Sequence, residues 1–367
     1  MVKPFAHQRQ CLRTLENIRG NTKKIERKAL IVMASGLGKT VTSALDVKKI
    51  MAHFPWLRVL YLCHQNYILK QARETFELVL GNQNGKTFGY YHGLKKEIEA
   101  QLLFASFQTM RDSLDKFRKN AFDYVVVDES HHVPAETFHP VVRHFKPRFM
   151  LGMTATPDRM DMQDIRKTFG TEIFSLDLPD ALAQKLLTAV DYRIVTDEIV
   201  KLGEIKNPYR LSMKELNRRI FVPKRDREIV KIIEQKIQAV KNPKVMIFCP
   251  SIRYAEKLRK KIIWSTTIHS QLPQDEQERR LEAFHQGKYD TVLTVDKFNE
   301  GIDIPEINVL VFLRSTQSHT VFYQQLGRGL RKLPGKKKVL VLDFVANCER
   351  VELIHELVEE VKKKTPR

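Results

Sequence analysis

Residues 30–40 read LIVMASGLGKT. Four apolar residues, Leu30, Ile31, Val32 and Met33, run straight into Ala34-Ser35-Gly36-Leu37-Gly38-Lys39-Thr40. Val41, Ala44, Leu45, Val47, Met51 and Phe54 then recur at three- and four-residue steps until Pro55, the pattern of an amphipathic helix. Strand, glycine turn and helix, in that order, are the setting a phosphate-binding loop requires. Gly36 and Gly38 can take backbone conformations that aim N–H groups inward, and the helix adds the positive end of its dipole. The expected cradle is therefore Ser35, Gly36, Leu37 and Gly38, with Lys39 reaching the β- and γ-phosphates and the Thr40 hydroxyl holding Mg²⁺. Met33 stands where the full G-x-x-x-x-G-K-[ST] pattern carries its first glycine. A second G-K-T, Gly85-Lys86-Thr87, follows Asn-Gln-Asn rather than a buried strand and reads as a turn.

Lysine and arginine number 63 against 43 aspartates and glutamates, a net charge of +20. So large an excess points to a polyanionic partner, nucleic acid above all, since phosphate contacts release counterions. A basic surface kept for solubility is the plainer alternative. The four cysteines (Cys11, Cys63, Cys249, Cys348) are far apart, without C-x-x-C, and read as reduced thiols rather than zinc ligands. The N-terminus lacks an apolar signal core, and no apolar stretch approaches the ~20 residues of a membrane span. A soluble, cytoplasmic protein with no membrane contact is expected.

Through the first half, short apolar runs alternate with helical patterns: Ala29–Met33, Arg58–Leu62, Leu102–Ser106, Tyr124–Val127 and Phe149–Gly152. Runs of this kind suit a parallel sheet covered on both faces, whose strand C-termini line one edge. A second series follows at Val245–Phe248, Thr266–His269, Thr291–Val295, Val309–Leu313 and Val339–Leu342. At 367 residues, two α/β domains are the natural division. We place the first over 1–175, a connecting region over 176–223 and the second over 224–367. The connecting region is mixed: a helix over Asp180–Leu187, a strand over Tyr192–Val195, a basic polar stretch over Lys201–Arg219. A further helix is expected over Arg225–Val240.

Phe122–His132 reads FDYVVVDESHH. An apolar strand ending in Asp128-Glu129 puts two carboxylates on the same sheet edge as the phosphate loop. Asp128 is the candidate to help hold Mg²⁺, and Glu129 the base that orients and deprotonates an attacking water. A pair of surface caps after a strand is the bland alternative.

ASGLGKT, DESH (Asp128–His131) and MTATP (Met153–Pro157) resemble the nucleotide-binding motifs of superfamily 2 helicases in the DExH-box form. YLCH (Tyr61–His64), FASFQT (Phe104–Thr109), IFC (Ile247–Cys249), TVDKFNEGIDIP (Thr294–Pro305) and QQLGRGLR (Gln324–Arg331) follow in the order that family shows. Within it the likeness is to the helicase subunits of restriction enzymes and the Rad25-like branch. The resemblance implies two tandem RecA-like domains, each a mainly parallel sheet flanked by helices, with ATP in the cleft between them. It implies an adenine-reading Gln8, although Phe5 replaces the usual arginine three residues earlier. Gly301 and Asp303 would lie near the ribose, and His131, Thr154 and Thr156 would couple nucleotide state to strand grip. Arg328 and Arg331, three apart and expected on one helix face with Gln324 a turn earlier, would complete the site as arginine fingers. Nucleic-acid contacts would come from His64, Gln65, Ser106, Gln108 and Thr109 in the first domain and Ser251, Arg253, His269 and Thr294 in the second.

The implied function is an ATP- and Mg²⁺-dependent helicase or translocase acting on nucleic acid, DNA favoured over RNA. It would work as a monomer, with room for a nuclease or repair subunit as partner. A non-unwinding ATP-dependent clamp, a motor subunit of a larger complex and an RNA helicase stay open as alternatives. A built-in nuclease is disfavoured, because Glu198 and Lys201 are one residue too far apart for E-x-K.

Overall fold

Ala29–Met33 is buried without interruption, and that strand is the axis of the first of two sheets. The computed structural model describes residues 2–20, 28–81, 87–133, 138–155, 162–195, 226–295, 304–314, 319–344 and 348–365. The chain divides into two units, Met1–Asp177 and Leu178–Arg367. In the first, the order is α1 (Ala6–Gly20), β1 (Lys28–Met33), α2 (Lys39–Met51), β2 (Val59–Cys63), α3 (Asn66–Leu80), β3 (Phe88–His92) and β4 (Lys95–Lys96). It continues with β5 (Leu102–Ser106), α4 (Phe107–Arg111), β6 (Tyr124–Val127), α5 (His139–His144), β7 (Phe149–Thr154), α6 (Met162–Phe169) and β8 (Glu172–Leu176). The sheet runs β4-β3-β5-β2-β6-β7-β1-β8, parallel except for β4, which pairs antiparallel with β3. Parallel pairing delivers the exits of β1, β2, β5, β6 and β7 to one edge.

The second unit holds α7 (Leu178–Ala183), β9 (Ala189–Ile194), α8 (Asp226–Ile237), β10 (Val245–Phe248), α9 (Ile252–Arg259) and β11 (Ser265–Ile268). α10 (Gln274–His285), β12 (Thr291–Thr294), β13 (Val309–Phe312), α11 (His319–Gly329), β14 (Lys338–Asp343) and α12 (Cys348–Lys364) complete it. Its strands are all parallel, in the order β11-β12-β10-β13-β14-β9. β9 pairs with β14 along its whole length, so residues 178–195 of the expected connecting region are built into the second unit. Lys201–Arg219 lies outside the described residues. The helix expected over Asp180–Leu187 is shorter and earlier, at Leu178–Ala183.

β3 and β8 were not expected. In each, burial is broken by half-exposed or exposed residues, which removes the continuous apolar run that marks the central strands. α11 meets its sheet closely at Gly329, where a Cβ would lie 3.0 Å from Leu310 Cδ1 and 3.1 Å from Val339 Cγ1.

A buried ion pair ties three elements of the first unit together. Asp46, on the inner face of α2, has no solvent exposure. Arg19 at the end of α1 grips it with two bonds (Nη2–Oδ1 2.5 Å, Nη1–Oδ2 2.7 Å) and Tyr124 of β6 donates its hydroxyl to Oδ2 at 2.7 Å. The Arg19 guanidinium also lies over the Phe149 ring, 5.1 Å from its centroid. Removing one partner strands the other charge in a dry interior. Arg19→Met should therefore destabilise the first unit by about 3–5 kcal/mol, read as a shift of its urea unfolding transition. A change near zero would mean that Asp46 needs no cation.

Candidate active site

The phosphate loop forms where β1 ends. Gly36 and Gly38 adopt φ of 87° and 81°, a region L side chains rarely enter. Gly38 is the N-cap of α2 and supplies no side-chain cap, so the first amides of that helix face outward for a ligand. Lys39 Nζ folds back to the Met33 carbonyl at 3.2 Å. Gln8 is buried against the loop: its Nε2 donates to the Leu37 carbonyl (3.2 Å) and its Oε1 accepts from the Phe5 amide (2.9 Å). Both ends of the amide are thus engaged, and the side chain braces the loop. His7 Nε2 bonds the same Leu37 carbonyl at 3.0 Å.

Two strands away, β6 ends in Asp128, which is 5% exposed. Its Oδ2 accepts the Tyr61 hydroxyl at 2.6 Å and its Oδ1 the Glu129 amide at 2.9 Å. Tyr61 is fully buried on β2, and the Thr40 side chain lies close enough to its phenol to oppose slightly the upward push of burial. The phenol is thus bonded to the carboxylate that the sequence assigns to the cation. Burial, and after it the Glu129 carboxylate, push the Asp128 carboxyl above the usual carboxylate range, while Lys39 and Tyr61 pull the other way. Burial and Asp128 push the Tyr61 phenol well up, which keeps it a donor.

Glu129 takes φ 47° and ψ 51°, a left-handed conformation unusual for a non-glycine residue. The Asp128 bond to its amide helps to hold that turn. Its Oε2 lies 3.3 Å from His131 Nδ1, which is also 3.1 Å from Thr154 Oγ1 at the end of β7. Glu129, His131 and Thr154 are thus one buried chain of contacts; Thr156 lies outside the described residues.

On the same edge, His64 and Gln65 leave β2 half-buried. Ser106 caps α4, its hydroxyl accepting from the Thr109 amide (3.3 Å) and 3.0 Å from Thr109 Oγ1, with Gln108 exposed beside it. In the second unit Ser251 caps α9 by accepting from the Tyr254 amide at 3.2 Å, and Arg253 is exposed. His269 is buried, its Nε2 3.2 Å from Glu256 Oε1, and Thr294 is buried at the end of β12. Gln324 and Arg328 lie one turn apart on α11, Gln324 buried and Arg328 half-buried. Arg331 departs from the expectation. α11 stops at Gly329, packed on Leu310 and Val339, and Arg331 follows on non-helical backbone tied to Thr188 (Thr188 Oγ1 to Arg331 O, 3.2 Å). The two arginines do not share a helix face. Gly301 and Asp303 lie outside the described residues.

The residue sequence reasoning passed over is Tyr61. Its signal was slight: one hydroxyl in the otherwise apolar run Val59–Cys63, one strand from the acidic pair.

Residues 1–159 match the family described as type III restriction enzyme, res subunit, and residues 227–332 match the helicase conserved C-terminal domain. The Saccharomyces cerevisiae protein IRC3 is 22% identical over 357 residues, covering 90% of this chain and 50% of IRC3. The DNA 3'-5' translocase XPB2 of Sulfurisphaera tokodaii is 22% identical over 356 residues, covering 87% of this chain and 78% of XPB2. The chain spans about half the length of several curated relatives it matches. Among solved structures, S. cerevisiae Dbp5 bound to RNA and ADP BeF3 superposes with a TM-score of 0.72 at 15% identity, over 98% of this chain and 88% of Dbp5, which speaks for the fold: two RecA-like units. Both family matches imply ATP use, and among the described residues no helix is long and apolar enough to cross a membrane. With an ordered series of motifs, two parallel sheets and a family match in each unit, the chain belongs to the superfamily 2 helicases of the restriction-enzyme type.

Proposed function

We propose that this chain is a nucleic-acid-stimulated ATPase that moves along or unwinds DNA. The observation that carries the reading is the convergence on one sheet edge of an open helix N-terminus at Gly38, the Lys39 ammonium, a buried carboxylate bonded to Tyr61, and a strained glutamate. The donor set suits a nucleotide phosphate with a hard divalent cation: amides and Lys39 for the phosphates, Thr40 and Asp128 for Mg²⁺. Magnesium, when bound, supplies positive charge at the phosphate oxygens. Glu129 orients and deprotonates the water, its carboxylate held beside His131 on a left-handed turn. Arg328 and Arg331 supply further positive charge at the γ-phosphate, and Gln324 supports them. Gly301 and Asp303 approach the ribose, Gln8 serves the adenine end of the site, and Thr156 extends the His131–Thr154 coupling.

DNA is favoured over RNA by the restriction-enzyme family match and by the likeness to the DNA 3'-5' translocase XPB2. The match to a restriction-enzyme subunit family supports a partner chain such as a nuclease; the motor itself works as a monomer inside the cell. His64, Gln65, Gln108, Thr109, Ser251, Arg253, His269, Thr294 and Ser106 grip the backbone rather than the bases.

Steady-state ATP turnover with and without single- and double-stranded DNA and RNA tests the motor reading. DNA should raise turnover above RNA, and turnover indifferent to every nucleic acid defeats the coupling. Lys39→Ala and Glu129→Gln should each lower turnover by roughly 10²-fold or more, and Arg331→Ala or Arg328→Ala by about 10³-fold. His131→Ala should keep basal turnover and lose the stimulation by DNA; full stimulation in that variant removes His131 from the coupling path. For Tyr61→Phe, the Mg²⁺ concentration giving half-maximal binding of a fluorescent nucleotide should rise about 10–100-fold. An unchanged Mg²⁺ requirement leaves Tyr61 a packing residue.

A further inference from the structure

The first turn of α1 is fastened to the phosphate loop by two side chains. Gln8 is 2% exposed. Its Oε1 accepts from the Phe5 amide at 2.9 Å, and its Nε2 donates to the Leu37 carbonyl at 3.2 Å with the Gly38 carbonyl at 3.5 Å. A glutamine that reads adenine offers Oε1 to the N6 amino group and an Nε2 hydrogen to N7. Here both ends of the amide are turned to backbone instead. Swinging the side chain onto a base would break both bonds and leave the Phe5 amide without that acceptor. The packing is close: a Cβ on Gly38 would lie 2.5 Å from Gln8 Nε2. Gln8 holds the loop to α1, and its amide is occupied in doing so.

Phe5 is in the opposite condition. It is 69% exposed, yet its backbone is held on both sides. Gln8 takes its amide, its carbonyl accepts from the Arg9 amide at 2.9 Å, and Arg9 Nη1 bonds the preceding Pro4 carbonyl at 2.7 Å. The ring lies parallel to that of His7, with 5.9 Å between centroids and 9° between planes. His7 is itself fixed, its Nε2 3.0 Å from the Leu37 carbonyl. A carbonyl only accepts, so that nitrogen carries the hydrogen. A flat apolar ring is therefore held beside the phosphate loop, backed by a second ring and mostly uncovered. Phe54 and Trp56 are also exposed, but they follow the far end of α2, roughly 20 Å of helix from the loop.

We propose that the base of the bound nucleotide stacks on Phe5 and is not read by Gln8, so that the site takes nucleoside triphosphates with little regard to the base. The inference rests on the nucleotide site proposed above and names the substrate class of that site. Every base has a π-face, so a stacking contact tolerates a change of base, whereas a paired amide does not. Residue 5 is also where the family pattern carries an arginine, and this chain has a planar apolar face there. Gln8 and His7 act as positioning residues: both grip Leu37, and through the Phe5 amide and the parallel ring they set where the platform stands.

The test is displacement of a ribose-labelled fluorescent ADP from the full chain by ATP, GTP, CTP and UTP with Mg²⁺, read beside steady-state turnover of each. The four should compete within about tenfold of one another, less than a good bidentate base contact discriminates at its upper end. Phe5→Ala and Phe5→Leu should each weaken all four at least about fivefold. KM should rise to match while kcat at saturation changes little, the signature of lost uniform binding. Phe5→Trp should restore binding. Leucine keeps apolar bulk without a flat face, so normal binding in Phe5→Leu overturns the stacking role. An ATP preference above the tenfold margin overturns the indifference to base, and its loss in Gln8→Ala returns the reading to Gln8. Thermal melting confirms that each variant is folded. Lys39→Ala separates this inference from the one beneath it. Nucleotide binding that survives Lys39→Ala faults the phosphate site and the stacking with it, whereas binding lost there but unmoved by Phe5→Ala faults Phe5 alone.

Discussion

A carboxylate in a dry place constrains everything around it. Asp128 ends a wholly buried strand and is itself almost fully covered. Burying an anion is costly unless donors meet it. Here the Tyr61 phenol and the Glu129 amide do so. The second of these bonds turns the backbone at Glu129 into the left-handed region, which costs on the order of 1–2 kcal/mol for an L residue. That turn brings the Glu129 side chain against His131, and His131 against Thr154. Solvation of one acid thereby shapes the next acid and the contact to β7.

The ion pair at Asp46 sets the frame in which this happens. β6 carries Tyr124 at its start and leads into Asp128 at its end. Its start is fixed to α2 through Asp46, and α2 begins at the phosphate loop. Arg19 closes the same group from α1, whose first turn carries Gln8 against the Leu37 carbonyl. The elements that carry the loop and the acidic pair, α2 and β6, are thus pinned together at Asp46, and α1 is fixed to α2 at Arg19 and to the loop at Gln8.

Most of this framework was legible in the sequence, for a physical reason. Central parallel strands are covered on both faces and so are apolar throughout. Leu102–Ser106, Tyr124–Val127 and Val245–Phe248 form as read. β8 at the edge is partly exposed and mixes Glu172 and Ser175 with apolar residues, so the signal fades. Arg331 was misplaced because residue spacing alone does not show where a helix must stop. The stop coincides with a long-range contact, the approach of Gly329 to Leu310 and Val339. Tyr61 and Asp46 were missed because their partners are distant in sequence, and a polar atom in an apolar run reveals its purpose only once its partner is seen.

The two units also show why similar sheets need not do the same chemistry. Both send helices out from the exits of parallel strands, and the first amides of each helix need a partner. At α2 the N-cap is Gly38, which has no side chain to offer, so those amides remain available to a phosphate. At α9 the N-cap is Ser251, whose hydroxyl oxygen already accepts from the Tyr254 amide. That cap withdraws a donor the phosphate loop leaves open, yet the Ser251 hydroxyl keeps its own hydrogen to donate. A side chain in that state suits a single bond to a passing phosphodiester better than the enclosure of a triphosphate. What the first amides can offer a ligand thus comes down, at these two helices, to whether the capping residue carries an oxygen.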